Sequence, residues 1–332
     1  RQGRCHVSTT RRPWFPPRLA DVAARAGTSK ATASRALGRG HPSPFPTLRR
    51  VQEAAQDLGY RPPTDRAHLL ALSTDISRTG YWATVSGVVA ASEELGADLS
   101  IHVLSGGSQR RREILSRALD GRVDGVVLLE FDSVSVAALE DLPVDLPVAI
   151  AGGRPGAGHE EPPRAWTDDY AGAMTATHHL CDLGHERLAY VGVPSAGHPD
   201  PRLAGWRRVL AQRHLRASEP VAIGWSVETG LRSAAAVRAS RATGILCGND
   251  DLAIGLVAGL AREGVEVPRD VSVVGVDDHP HAVGMVPALT TVRLDFAGVG
   301  EAAARLALGI EVGPVVEVPS QLVVRGSTAP PA

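Results

Sequence analysis

Residues 19–40 read LADVAARAGTSKATASRALGRG. Leu19, Val22, Ala23 and Ala26 fall on one face of a helix, and Gly27 suits the position just past a helix end. Ser29 is then a good N-cap for a second helix, Lys30 to Leu37, rich in small residues. Further along, the spacing predicts a third helix from about Leu48 to Leu58. Thr47 is its expected N-cap, Leu48, Val51, Ala55 and Leu58 its buried face, and Gly59 its end. Two short helices joined by a Gly-containing turn and braced by a third make a helix-turn-helix unit, here spanning residues 18–63. Such a unit lays its second helix in a major groove, with the N-terminal residues meeting base edges. Lys30, Ala31, Ser34 and Arg35 occupy the face not needed for packing. The alternative is a three-helix bundle with a solvated basic face.

Charge favours the first reading. The chain has 332 residues and a net charge of −1, which looks indifferent to polyanions. Residues 1–70 nevertheless hold 13 Arg or Lys against four Asp or Glu, a net +9, and the remainder holds 22 against 32, a net −10. A basic head on an acidic body points to a polyanion partner for the head alone. Lys30 is the only lysine. Residues 1–17, with Pro13, Pro16 and Pro17, read as a disordered basic arm. That arm has no apolar h-region and is not expected to be a secretory leader. The chain opens on Arg1 without Met, so its natural start is expected elsewhere. No run of 18 apolar residues occurs, so no membrane-spanning helix is expected. Cys5, Cys181 and Cys247 are odd in number and far apart, which fits a reducing cytoplasm rather than a disulfide framework.

Beyond residue 68, short apolar runs alternate with helical stretches. Strands are expected at Leu69–Ser73, Leu99–Leu104, Gly125–Leu129, Val148–Ala151, Leu188–Val193, Gly244–Cys247 and Val271–Val276. Helices fall between them, such as Val85–Leu95, Gln109–Leu119, Ala171–Leu183, Leu203–Arg213 and Leu252–Arg262. This alternation implies parallel sheets with crossover helices, here two doubly wound α/β lobes. Ligands bind such folds at the carboxyl ends of the strands. No catalytic signature of the nucleophile-elbow, zincin, Walker or dinucleotide type is present, so no enzyme activity and no cofactor are expected. The run GGRPGAG at 152–158 opens no helix and reads as a loop rather than a phosphate cradle. The groups His178, His179, His185 and Asp277, Asp278, His279, His281 lack zinc-site spacing, and no metal is expected.

The motifs D-V-A-x-x-A-G at Asp21–Gly27, S-x-x-T-x-S-R at Ser29–Arg35 and L-G-Y-x-P at Leu58–Pro62 closely resemble the headpiece of the lactose/galactose-repressor (LacI/GalR) family. The body resembles that family's periplasmic-binding-protein-like core through TDDYAGA (167–173), HLCDLGHERLAYVG (179–192), RLAGW (202–206), GNDDLAIG (248–255), VPRDVSVVGVDD (267–278), PALTTVR (287–293) and LVVRGSTAPP (322–331). The resemblance implies that Lys30 and Ala31 read bases, Ala31 by methyl contact only. Arg35 would grip a base, typically guanine, and Ser29, Ser34, Thr47 and Tyr60 would meet phosphates. In the body it implies an effector cleft. Asp75 and the pair Tyr81–Trp82 come from the first lobe, and Asp168, Arg202, Trp225, Asn249 and Asp277 from the second. Carboxylates and Arg suit hydroxyls, and aromatic faces suit a sugar ring. For Arg202 a surface position is the alternative, for Trp225 a core position, and for Asp168 a helix cap. The chain is expected to cross between lobes three times. One lobe then holds about 69–163 and 292–314, and the other about 164–291 and 315–328.

Departures from the family are local. Arg18 stands where a capping Thr is usual, Gly38 replaces an Asn, and the loop HPSPFPT is unusually proline-rich. The hinge is the largest. Only residues 64–68 separate Pro63 from the apolar run at Leu69, about half the family's length. Leu69 is therefore either the minor-groove wedge of the family or the start of the first strand. The resulting expectation is a cytoplasmic, sugar-responsive repressor that binds a pseudo-palindromic operator as a homodimer. Its rivals are a sugar-uptake binding protein, a doubly wound enzyme and a paralogue degenerate in DNA binding.

Overall fold

The structure, a computed structural model, describes residues 17–37, 45–58, 60, 66–120, 123–154, 162–194, 200–311 and 313–332. The head holds α1 (Leu19–Arg25), α2 (Lys30–Leu37) and α3 (Phe45–Leu58). Val22, Ala23, Ala26, Ala33, Ala36, Val51 and Ala55 form its core, with Leu19, Leu48, Leu58 and Tyr60 packed against it. Gly27 has φ +62°, the left-handed conformation that a residue with a Cβ resists. At Arg18 the side chain makes no cap hydrogen bond; instead Asp21 accepts the Arg18 N–H at 2.6 Å. Helix α3 begins earlier than its periodicity predicts. Phe45 and Pro46 form its first residues, Pro being suited there because its missing N–H is not needed. Thr47 therefore lies inside the first turn and is not the N-cap.

The body consists of two six-stranded sheets. The first contains β1 (His68–Ser73), β2 (Asp98–Val103), β3 (Gly125–Glu130), β4 (Val148–Gly152), β5 (Arg164–Thr167) and β11 (Val315–Val318). Their order is β11-β5-β4-β3-β1-β2, and every pairing is parallel. Helices α4 (Thr79–Glu94), α5 (Ser108–Ala118), α6 (Ser133–Glu140) and α11 (Phe296–Ala307) accompany this sheet. The second contains β6 (Leu188–Gly192), β7 (Ala222–Ile223), β8 (Gly244–Cys247), β9 (Ser272–Val276), β10 (Thr290–Arg293) and β12 (Gln321–Val323). Its order is β12-β10-β9-β8-β6-β7, parallel except for β12 against β10. Helices α7 (Asp169–Asp182), α8 (Pro201–Gln212), α9 (Val227–Ser240) and α10 (Asp250–Arg262) belong here. The central strands are buried on both faces, which is why they read as continuous apolar runs.

One open alternative is decided and two expectations are corrected. Leu69 is fully buried in β1 and paired with β2 and β3, so it belongs to the sheet and is no wedge. The lobe boundaries move by a few residues, because β5 and β11 hydrogen-bond into the first sheet and all of β10 into the second. The crossings therefore fall after Thr167, after Arg293 and between β11 and β12. Among the described residues twelve strands appear rather than seven, the additional ones being short, polar or at edges. Among the described residues, no helix is long and apolar enough to cross a membrane.

Each lobe carries a helix pair closed by reciprocal glycines. Between α4 and α11, a Cβ on Gly87 would collide with the Ala297 carbonyl, and one on Gly300 with that of Thr84. Between α9 and α10, Gly230 faces the Leu252 carbonyl and Gly255 that of Val227 in the same way. These backbones touch without intervening side chains.

Candidate DNA-reading face and ligand cleft

On α2, Ala33 and Ala36 are buried, while Lys30, Ala31, Ser34 and Arg35 are exposed together on the opposite side. The Ser29 hydroxyl oxygen accepts the Thr32 N–H at 3.1 Å, as an N-cap does. Arg35 Nε rests on the Ala31 carbonyl at 3.4 Å, leaving the rest of its guanidinium in solvent. Thr47 and Tyr60 are half-buried, and Tyr60 N donates to Ala55 O at 2.7 Å, tying the end of the head back onto α3. The Gly38 departure and most of the proline-rich loop lie outside the described residues, as do Cys5 and the basic arm up to residue 16.

Between the lobes lies a cavity of about 400 Å³, within the usual size of small-molecule sites. Tyr81, Asp168, Arg202, Trp225, Asn249 and Asp277 all line it, and Asp75 and Trp82 do not. Helix α4 explains the difference. Tyr81 is 3 % exposed, whereas Trp82, one residue and about 100° further round the helix, is 38 % exposed. Asp75 stands behind the cavity. Its Oδ1 accepts the Ser77 N–H and hydroxyl, both at 2.7 Å, and its Oδ2 accepts Arg78 Nε at 2.7 Å. Burial opposes its charge, but those hydrogen bonds and the Arg78 cation prevail and bring the carboxyl down to about 2.

Strand ends and helix starts supply the other polar groups. Asp168 caps α7, its Oδ1 accepting Ala171 N at 3.0 Å, so the capping alternative holds and the residue still faces the cavity. Asn249 caps α10 through Leu252 N at 2.9 Å and donates to Trp225 O at 3.0 Å, which fixes the Trp225 loop. Tyr81 donates its hydroxyl to Asp132 at 2.8 Å. Burial and that carboxylate both push the phenol above its ordinary range.

Arg202 sits in the first turn of α8 and is no surface residue. Its Nε donates to Asp169 at 2.8 Å, another nitrogen donates to the Gly248 carbonyl, and Nη2 lies 3.6 Å from Asp277. Burial disfavours its charge, but Asp169 and Asp277 outweigh that and hold it firmly protonated. Asp277 follows the carboxyl end of β9 with φ +119°, and Asp278 follows at φ +54°. Burial raises the Asp277 carboxyl to about 7. Arg202 counteracts this only in part, since 3.6 Å is too long for a hydrogen bond and Asp169 and Asp251 add repulsion. Behind it, buried Asp250 accepts the Thr291 hydroxyl at 2.6 Å and His279 N at 2.7 Å. Asp278 pairs with Arg293 and Arg325. His185 is held by Thr243 and Ala329, and His179 by Thr328.

Sequence reasoning missed Arg78, Phe131, Asp169 and Tyr170, all of which line the cavity. Phe131 directly follows the carboxyl end of β3, so the strand-end rule that found Asp277 could have found it too. Arg78 is the N-cap residue of α4, and its direction depends on how the preceding loop turns.

A basic reading helix on a compact head, followed by two doubly wound lobes that enclose a polar cavity, is the architecture of a DNA-binding regulator with a sensor body. The periplasmic binding protein-like domain matches residues 177–328. An HTH-type transcriptional regulator in the aml 5' region of Streptomyces limosus is 31% identical over 94% of this chain and 95% of its own. The structure resembles a transcriptional regulator CelR–cellobiose complex, with TM-score 0.68 and 27% identity over 94% of this chain and 99% of that one. A LacI family transcriptional regulator from Mycobacterium smegmatis gives TM-score 0.65 and 28% identity over 80% of this chain and 100% of that one. The chain belongs to the LacI/GalR family of helix-turn-helix transcriptional regulators.

Proposed function

We propose that this regulator is a sugar-responsive repressor that acts as a homodimer on a pseudo-palindromic operator in the cytoplasm and catalyses no reaction. The observation that carries the reading is the cavity between the lobes, which brings carboxylates, guanidinium groups and aromatic faces from both sides to one ligand-sized space. Hydroxyl-rich ligands suit such a lining, because carboxylates and Arg pair with hydroxyls and ring faces cover apolar edges. The related CelR structure is described as a cellobiose complex, which supports a saccharide here. Lys30, Ala31 and Arg35 read base edges, and Ser29, Ser34, Thr47 and Tyr60 position the backbone. Tyr81, Asp168, Arg202, Trp225, Asn249 and Asp277 contact the effector, while Asp75 acts through Arg78. The head comprises residues 18–63 and the hinge 64–68.

A ligand shifts the lobes only by its differential affinity for their arrangements, so the effector must contact both. Two heads are needed because one small module covers too little DNA for tight specific binding. The test is footprinting upstream of its own and neighbouring genes, with and without a panel of saccharides. A palindromic protected site whose occupancy changes with one saccharide supports the reading. No protection under any condition refutes it.

A further inference from the structure

Arg78 is the cavity residue whose surroundings its sequence position explains least. It leaves the loop between β1 and α4 as the residue just before the helix. Its guanidinium carbon lies 4.9 Å from the Tyr81 ring centroid and 4.8 Å from that of Trp225. Tyr81 belongs to the first lobe. Trp225 belongs to the second, packed on its core and held through Asn249. One cation thus fills an aromatic slot built by both lobes. Nε is committed to Asp75, whose own acceptors are occupied by Ser77 and Arg78, so the side chain is pinned from behind. Nη1, by contrast, is buried and has no hydrogen-bond partner. A buried donor left unpaired is costly, and a guanidinium donor bonds strongly to oxygen acceptors.

We propose that Arg78 determines effector specificity in the cleft: its guanidinium donates to an oxygen of the bound saccharide, and the same group reserves the Tyr81–Trp225 slot against a stacked ring. This rests on the saccharide reading above. The ring faces that the sequence offers for stacking are taken, so the sugar's apolar face turns toward Phe131 and Tyr170. A ligand oxygen on the guanidinium also touches a side chain already in contact with aromatic rings of both lobes. Recognition and lobe contact then meet at a single residue.

The test uses the full chain and a panel of free mono- and disaccharides including cellobiose, with Kd read by calorimetry. Arg78→Ala should weaken every saccharide that binds wild type by tenfold or more, the scale of a lost charged hydrogen bond. Arg78→Lys should lose about as much, because it keeps the charge but neither the fork nor the planar stack. Binding by Arg78→Ala within twofold of wild type overturns the proposal. A second arm needs no ligand. Arg78→Ala should red-shift tryptophan emission by exposing Trp225, and the shift should vanish in a Trp225→Phe background. Unchanged emission overturns the stacked slot. If no saccharide binds wild type, the saccharide reading fails and the emission arm alone decides the slot.

Discussion

Asp277→Asn should stabilise this protein, and increasingly so as pH rises. Asp277 is largely buried at the cavity wall, and that burial raises its carboxyl to about 7 in the fold, against 3.8 for the free side chain. An acid whose folded value is raised holds its proton longer in the folded state. Its stabilising effect is complete below the unfolded value and is lost as pH climbs through the folded one. Each unit of difference corresponds to about 1.4 kcal/mol. Between pH 5 and pH 7.5 the wild type should therefore lose about 2–3 kcal/mol on account of this carboxyl alone. Asn is neutral throughout, is nearly the same shape, and tolerates the positive φ that the site imposes. Thermal unfolding of both proteins at pH 5 and 7.5 reads the effect, since titrations remote from the site cancel in the difference and Asp250, which the Asp277 charge pushes up, changes in the same direction. At roughly 2–4 °C per kcal/mol, the advantage of Asn in Tm should grow by about 5–10 °C across that range. A constant difference, or one that shrinks with pH, would mean that Asp277 is an ordinary ion-pair partner of Arg202, and the account of its burial would be wrong.

The other predictions concern different links. Arg35→Ala should abolish specific operator protection while leaving the Tm of the body unchanged, with a cost of about 1–3 kcal/mol in competition binding. Full retention of specificity would move base reading elsewhere on α2. Asp169→Asn removes the close partner of buried Arg202 and should cost about 3 kcal/mol in denaturant unfolding, since it leaves a desolvated cation underpaired. It should also lower the Asp277 titration by removing a repelling neighbour, which carboxyl-edited NMR would show. Gly255→Ala puts a methyl group into the Val227 carbonyl and should cost about 1–3 kcal/mol by chemical denaturation. A neutral outcome there would mean that α9 and α10 separate readily.

Much of this molecule was legible because its signals are local and repeated. The central strands announce themselves as apolar runs, and α2 begins and ends where Ser29 and the small-residue pattern place it. Six of the eight cleft residues reach the cavity, and Asp168, Arg202, Asn249 and Asp277 do so because each is tied to a helix start or strand end that the sequence marks. Trp82 failed for a physical reason. A shift of one residue in the start of α4 turns a side chain by about 100°, and periodicity alone does not fix that start. Strands β10 and β11 were hidden because Thr290 and Thr291 look polar yet are fully buried, and β11 alternates at an edge. The lobe assignment depended on those strands and on the four-residue β5, so the boundaries erred together. Arg78 and Phe131 owe their roles to contacts across long stretches of chain, and no window of neighbouring residues contains them.

The paired glycines have a mechanical consequence. At these glycines α4 meets α11 and α9 meets α10 backbone to backbone, with no side chain between them to shear or repack, which stiffens each pair. Compliance is then concentrated in the three strand crossings, at Asp168, at Leu294–Asp295 and at Pro319–Ser320. Two stiff plates on a three-stranded hinge behave as a lever, and β1, which begins at His68 only eight residues after Tyr60, is where the short arm meets the head.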